Sequence, residues 1–161
     1  MAKSKPQQKA STPVIRNKKA RFQYDLLEKL EVGIELVGSE VKSLREGNAS
    51  LGESYAAIRD GEAFLLGANI TPYACGGYAN HEPTRPRKLL LHRREIQKLG
   101  DRVQQKGLTL VPVSIYFTRR GIAKVELALA CGKRHYDKRD AIKKRETQRE
   151  IDRALTRRGR E

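Results

Sequence analysis

Tyr55-Ala56-Ala57-Ile58-Arg59-Asp60-Gly61-Glu62-Ala63-Phe64-Leu65-Leu66 reads as two short strands around a dipeptide that tolerates positive φ. Asp-Gly favours the two-residue hairpin turn whose twist matches that of the strands it joins. A second hairpin is predicted downstream, where Leu108 to Phe117 and Ile122 to Ala130 flank Thr118-Arg119-Arg120-Gly121. Upstream, Val32, Ile34 and Leu36 alternate with Gly33, Glu35 and Val37, and Val41 to Leu44 continues an extended pattern after Gly38. No alternation of strands with long helices accompanies these segments, so the expected class is mainly β. A small antiparallel barrel with two or three flanking helices fits best, because closing the sheet removes its exposed edges.

Two helices are expected around the sheet. Asn17 is a suitable cap, and Phe22, Leu26, Leu27 and Leu30 follow at spacings that give one apolar face, predicting a helix over about 18–30. Ile96, Leu99 and Val103 predict a short amphipathic helix closed by Gly107. The segment from Ile70 to Pro86 is rich in Pro, Gly, Tyr and Asn and reads as a long irregular loop. Long loops in small domains are often functional.

The chain has 161 residues, enough for one modest core, and carries a net charge of +15. Its distribution matters more than its total. Residues 1–21 hold seven basic residues and no acidic one, residues 132–161 hold twelve basic and six acidic, and the 110 residues between are nearly neutral. A partner with dense negative charge is implied. Residues 1–16 lack periodicity and read as a disordered basic arm, 17–131 as the folded domain, and 132–161 as a basic tail. From Lys133 to Arg158 the tail contains no Gly or Pro, and Ile151, Ala154 and Leu155 keep helical spacing, so it is a latent helix that a polyanion would complete.

No secretory leader or membrane-spanning run occurs, and Cys75 and Cys131 make no disulfide framework, so both are expected to be reduced, structural residues of a cytoplasmic, monomeric protein. The phosphate-binding loop, the dinucleotide fingerprint and the hydrolase and metalloprotease motifs are all missing. Cys75, His81, His92, Cys131 and His135 do not make a ligand quartet. The expectation is no enzyme, no metal and no cofactor. Glu31, Glu35 and Glu40 would make only a weak nuclease site; solvated strand carboxylates are the commoner outcome. On an RNA-binding surface, Glu31 has a sharper role, accepting hydrogen bonds from base amino groups. The densest basic patch within the domain is Arg85, Arg87, Lys88, His92, Arg93 and Arg94 around Leu89-Leu90-Leu91. In an extended segment, residues 85, 87, 89 and 91 would share a side, and the expectation is that they offer phosphate and base contacts there.

Four motifs, in order along the chain, give a resemblance: Gly38-Ser39-Glu40-Val41-Lys42-Ser43-Leu44-Arg45, Leu66-Gly67-Ala68-Asn69-Ile70, Pro83-Thr84-Arg85-Pro86-Arg87-Lys88-Leu89-Leu90-Leu91 and Asp137-Lys138-Arg139. From about Asn17 to the tail the chain resembles the small protein B (SmpB) family, the bacterial partners of transfer-messenger RNA (tmRNA). The resemblance implies an oligonucleotide-binding (OB)-type barrel that binds the tRNA-like domain of tmRNA and delivers it to stalled ribosomes for trans-translation. Elongation factor Tu and alanyl-tRNA synthetase would act on the same RNA. Asn17, Lys18, Arg21, Glu31 and Leu91 match family motif positions expected to contact RNA, and Lys42, Arg45, Arg85, Arg87, Lys88, His92 and Arg93 join them as candidates. The tail candidates for the ribosomal decoding centre and the empty mRNA channel are Lys133, Arg134, Tyr136, Asp137, Lys138, Arg139, Lys143, Lys144, Arg145, Ile151 and Leu155. Ser39 stands where the family often has tryptophan, and Arg134 stands for a lysine. The rival reading is a structural ribosomal protein, which would also join a small barrel to basic extensions.

Overall fold

In the computed structural model the Asp60-Gly61 turn forms as the sequence predicts, with φ of 51° and 75°, and the flanking strands pair from Arg59 opposite Glu62 to Tyr55 opposite Leu66. Residues 13–133 are described, together with Glu146, Thr147 and Arg149, which are helical. The elements run β1 (Ile15–Arg16), α1 (Ala20–Gln23), β2 (Tyr24–Ile34), α2 (Gly38–Arg45), β3 (Ala49–Ser50), β4 (Tyr55–Arg59), β5 (Glu62–Leu66), β6 (Asn69–Ile70), β7 (Arg87–Leu90), α3 (Arg93–Lys106), β8 (Thr109–Phe117) and β9 (Ala123–Gly132). Among the described residues no helix is long and apolar enough to cross a membrane.

Antiparallel pairings run β8-β4-β5-β7-β2-β9, and β9 pairs back onto β8, so six strands close into a barrel. Closure is narrowest between β4 and β8, where Ala56 opposite Leu110 is the one register pair. The interior is filled by Val32, Ile34, Leu65, Leu89, Leu110, Ile115, Val125 and Leu127, all buried. β1 adds to the outside of β8, so Ile15 and Arg16 belong to the sheet and the basic arm ends earlier than the expected boundary at residue 16.

The predicted helix over 18–30 is mostly a strand. Only Ala20–Gln23 is helical, and the eleven-residue β2 follows it directly. The physical reason is a β-bulge: register against β9 shifts between Leu26 and Glu28. Before the shift Leu26 packs with Ala20, Val111 and Ala130 outside the barrel, and after it Leu30, Val32 and Ile34 face the core. The extra residue, Leu27, is exposed, and its insertion stretches strand alternation into helix-like spacing.

The opposite error occurs at Val41 to Leu44, predicted to be extended and found within α2. Glu40, Ser43 and Leu44 are its fully buried residues, at i, i+3 and i+4, but two are polar and so invisible to a hydrophobic pattern. Glu40 starts the helix by accepting from the Val37 N–H at 2.9 Å, and Glu95 does the same for the His92 N–H at the start of α3. α3 ends as predicted at Gly107, φ 58°. Within α3, a Cβ on Gly100 would meet Ile58 Cδ1 at 3.7 Å, an ordinary contact. Gly100→Ala is therefore expected to stabilise the fold by about 0.5–1 kcal/mol, read as a higher denaturant midpoint at unchanged slope; a lower midpoint would contradict this packing.

Candidate nucleic-acid interface

The amino-terminal motif turns inward. Pro112 sits in β8 at a register shift, where the regular ladder is interrupted. Asn17 fills the gap: its N–H donates to the Val113 carbonyl at 2.8 Å and its Nδ2 to the Pro112 carbonyl at 3.0 Å. Its Oδ1 accepts from the N–H groups of Lys19 and Ala20, both at 3.1 Å, which caps the first turn. Asn17 is buried and its amide is used, so the structure corrects its assignment as an RNA contact; it is the clip that holds Lys18 and Arg21 on the surface.

A second correction concerns the leucine-arginine segment. Arg87 and Leu89 face the barrel interior, with Arg87 wholly buried, while Lys88 is half-buried and Leu90 exposed on the other side. Arg87 donates from Nε to Glu40 Oε1 at 2.9 Å, from Nη1 to the Ala68 and Arg85 carbonyls, and from Nη2 to the Pro83 carbonyl. Arg85 forks onto the same carboxylate at 2.8 and 2.7 Å and keeps about a quarter of its side chain exposed, 28%. Burial alone would raise the Glu40 carboxyl, but the Arg85 fork, the Val37 N–H and the two guanidinium charges outweigh it and hold it below its ordinary value. Arg87 is therefore a structural residue, and Glu40 is neither solvated nor available for acid-base work.

The triad ties α2 to β7 and to the predicted long loop, helped by Ser43 Oγ donating to the Thr71 carbonyl at 2.6 Å and by His81, whose Nε2–H donates to the Ile70 carbonyl at 3.0 Å. Ser39 meets the other imidazole nitrogen at 2.9 Å, so this serine has a polar role at the start of α2. α2 is thereby fixed with Lys42 over the Tyr73 ring at 5.2 Å and Arg45 over Phe117 at 5.5 Å, both cations exposed. Cys75 and Cys131 are free and exposed, which corrects their reading as structural residues.

The remaining candidates converge. Glu31, Lys88, Leu91, His92 and Arg93 line one cleft of about 610 Å³, with Gly33, Leu90 and Lys124. Glu31 and Gly33 point outward from β2, and Leu90 lies opposite Gly33 in the neighbouring strand. Tyr116 donates its hydroxyl to Glu31 Oε2, and Lys124 Nζ lies 3.5 Å from Oε1. The Glu31 carboxylate pushes the Tyr116 hydroxyl up to about 12, with burial and Glu126 adding to the effect. Lys88 is paired with Glu62. An outer-face row of Arg16, Ser114, Glu126 and Glu31, in register across four strands, links this cleft to β1 over roughly 15 Å. Lys29, from beside that row, and Ser114 within it donate to Glu126, and the Lys29 bond holds its carboxyl low despite partial burial.

Sequence reasoning missed Tyr116, Lys124 and Leu90. Tyr116 and Lys124 are opposite each other in the predicted hairpin, and that pairing was the available signal. Lys133 fastens the end of β9 by donating from its N–H to the Gln23 carbonyl and from Nζ to the Arg21 carbonyl, both at 3.0 Å. Arg134, Tyr136, Asp137, Lys138, Arg139, Lys143, Lys144, Arg145, Ile151 and Leu155 lie outside the described residues.

Comparison with known proteins agrees with the sequence resemblance. The SmpB protein family model matches residues 14–157. An SsrA-binding protein of Syntrophobacter fumaroxidans is 54% identical over 162 residues, covering 100% of both chains. One from Acidothermus cellulolyticus is 59% identical over 142 residues, covering 88% of this chain and 89% of its own. A solved structure described as "tmRNA-SmpB: a journey to the center of the bacterial ribosome" superposes with a TM-score of 0.64 at 51% identity, covering 81% of this chain and 94% of that one. On a match that runs from the first sheet strand into the tail, this chain belongs to the SmpB protein family.

Proposed function

We propose that this protein binds the tRNA-like domain of tmRNA through the Glu31–Leu91 cleft and carries it to stalled ribosomes, where trans-translation releases and tags the unfinished chain. The observation that carries the reading is the likeness, at 51% identity, to the SmpB chain of a tmRNA complex on the bacterial ribosome. The cleft supports it physically: it combines cations for phosphates, apolar surface for a base and the Glu31 carboxylate for base donors, while Glu62 and Glu95, which also line it, are engaged by Lys88 and the His92 N–H; single-stranded loops of a structured RNA require such a mix. The protein's part is binding and placement, with no bond made or broken by its side chains. The tail, from Lys133 onward, reaches the decoding centre and the vacant mRNA channel and folds there on RNA phosphate.

Sequencing the RNA that copurifies with the protein tests this reading against a structural ribosomal role. The expected result is one abundant structured RNA, tmRNA, enriched far above ribosomal RNA. Ribosomal RNA alone, in stoichiometric amounts, would overturn it.

A further inference from the structure

One edge of β8 forms a seam in the barrel. β9 pairs with β8 along its length on one side, but on the other β4 reaches it only through Ala56 opposite Leu110, so the edge from Pro112 to Ile115 would lie open. The amino-terminal residues cover it. Asn17 donates to the Val113 and Pro112 carbonyls, and β1 sets Ile15 opposite Ile115 and Arg16 opposite Ser114. Pro13 lies over Gly47, where a Cβ would meet the Pro13 Cγ at 3.4 Å.

Strand alternation gives the two residues of β1 different tasks. Ile15 points inward, is 8% exposed and joins the main core with Ile115. Arg16 points outward and is exposed, at the end of the row that runs through Ser114 and Glu126 to Glu31. Among the described residues it has no carboxylate partner. A terminal segment fastened by one buried aliphatic side chain, two register pairs and one asparagine is the part of the sheet that opens most easily, because those few contacts must offset the ordering of its backbone. Undocked, Arg16 leaves the row, and Lys18 loses the Asn17 clip that sets its position. A polyanion that meets these cations only in the docked state must favour docking, and docking must favour its binding equally.

We infer that Arg16 takes a phosphate of the bound RNA, and that Ile15, plugging the seam on the opposite side of the strand, is the positioning residue that presents it. RNA binding and docking of residues 13–17 onto β8 are one coupled event. The inference rests on the proposed function and adds a phosphate contact, which supplies affinity and register without reading sequence.

Hydrogen exchange and salt dependence test it together, on the full-length chain and the tRNA-like domain of tmRNA. In the free protein the Asn17 amide, which donates to Val113, should exchange far faster than amides of the β8–β9 ladder, and bound RNA should slow it roughly tenfold or more. Arg16→Gln should flatten the slope of log affinity against log salt by about one, the loss of one phosphate contact. Ile15→Ala removes no charge, yet should flatten the slope at least as much and abolish the slowing at Asn17; adding Arg16→Gln to it should cost little more. An isoleucine with a merely structural role would lower stability and leave the slope alone. Should Ile15→Ala fail to fold, Arg16→Gln and the Asn17 amide carry the test by themselves. Equal Asn17 exchange with and without RNA, or an unchanged slope in Arg16→Gln, would overturn the inference and leave the cleft as the RNA site. Failure of the unmodified chain to bind the domain would overturn the proposed function with it.

Discussion

Glu40→Gln is expected to destabilise the protein by about 3–5 kcal/mol, seen as a fall of roughly 10 °C or more in melting temperature. The argument turns on what is left behind. Arg87 is fully buried and donates to one carboxylate and three carbonyls, so a neutral amide at position 40 leaves its charge without a counter-ion in the interior. The pair is not thereby a large net source of stability, since desolvating both ions offsets most of their attraction; it is the loss of one partner that costs. The pH dependence has a definite sign. The folded-state Glu40 carboxyl is held below its ordinary value, so its contribution is complete above the unfolded value near 4.5 and is lost as pH falls through the lower folded value. The gap in melting temperature between the unmodified chain and Glu40→Gln should therefore be widest near neutrality and narrow in acid. An equal gap at both ends would show that the loss is not electrostatic.

Removing everything after Lys133 is expected to abolish tagging on stalled ribosomes while changing affinity for isolated tmRNA by no more than about tenfold at physiological salt. The segment from 134 to 161 carries eleven basic and six acidic residues, so its loss weakens non-specific attraction, but no residue of the cleft is removed. Cutting after Lys133 rather than before it matters, because Lys133 fastens the end of β9 to α1 through Gln23 and Arg21. Loss of RNA binding in this truncation would contradict the division between a recognising barrel and a ribosome-directed tail.

The antiparallel barrel was legible wherever turn chemistry was explicit. Asp60-Gly61 and Gly107 acted through positive φ, a local property that tertiary contacts did not override. The sequence misled at β2 and α2 for definable reasons: a bulge at Leu27 counterfeited helical spacing, and a helix whose buried face is Glu40, Ser43 and Leu44 hid among polar letters. The site divides in the same way. Glu31, Lys88, Leu91, His92 and Arg93 could be picked from charge and motif, and the fold gathers them. Arg87 could not be told from Lys88 in a basic run, because strand alternation sends one inward and the other out, and only the position of Glu40 explains why the inward cation is tolerated.

The central claim is that specificity resides in the nearly neutral barrel and not in its basic extensions. It is tested most directly by the ratio of affinities for tmRNA and for a plain RNA duplex of similar length, measured at one salt concentration for the unmodified chain and Glu31→Ala. Removing the carboxylate deletes a recognition group while raising net charge by one, so the ratio should collapse by tenfold or more through loss of tmRNA affinity, with duplex binding unchanged or slightly tighter. An unchanged ratio would contradict the account.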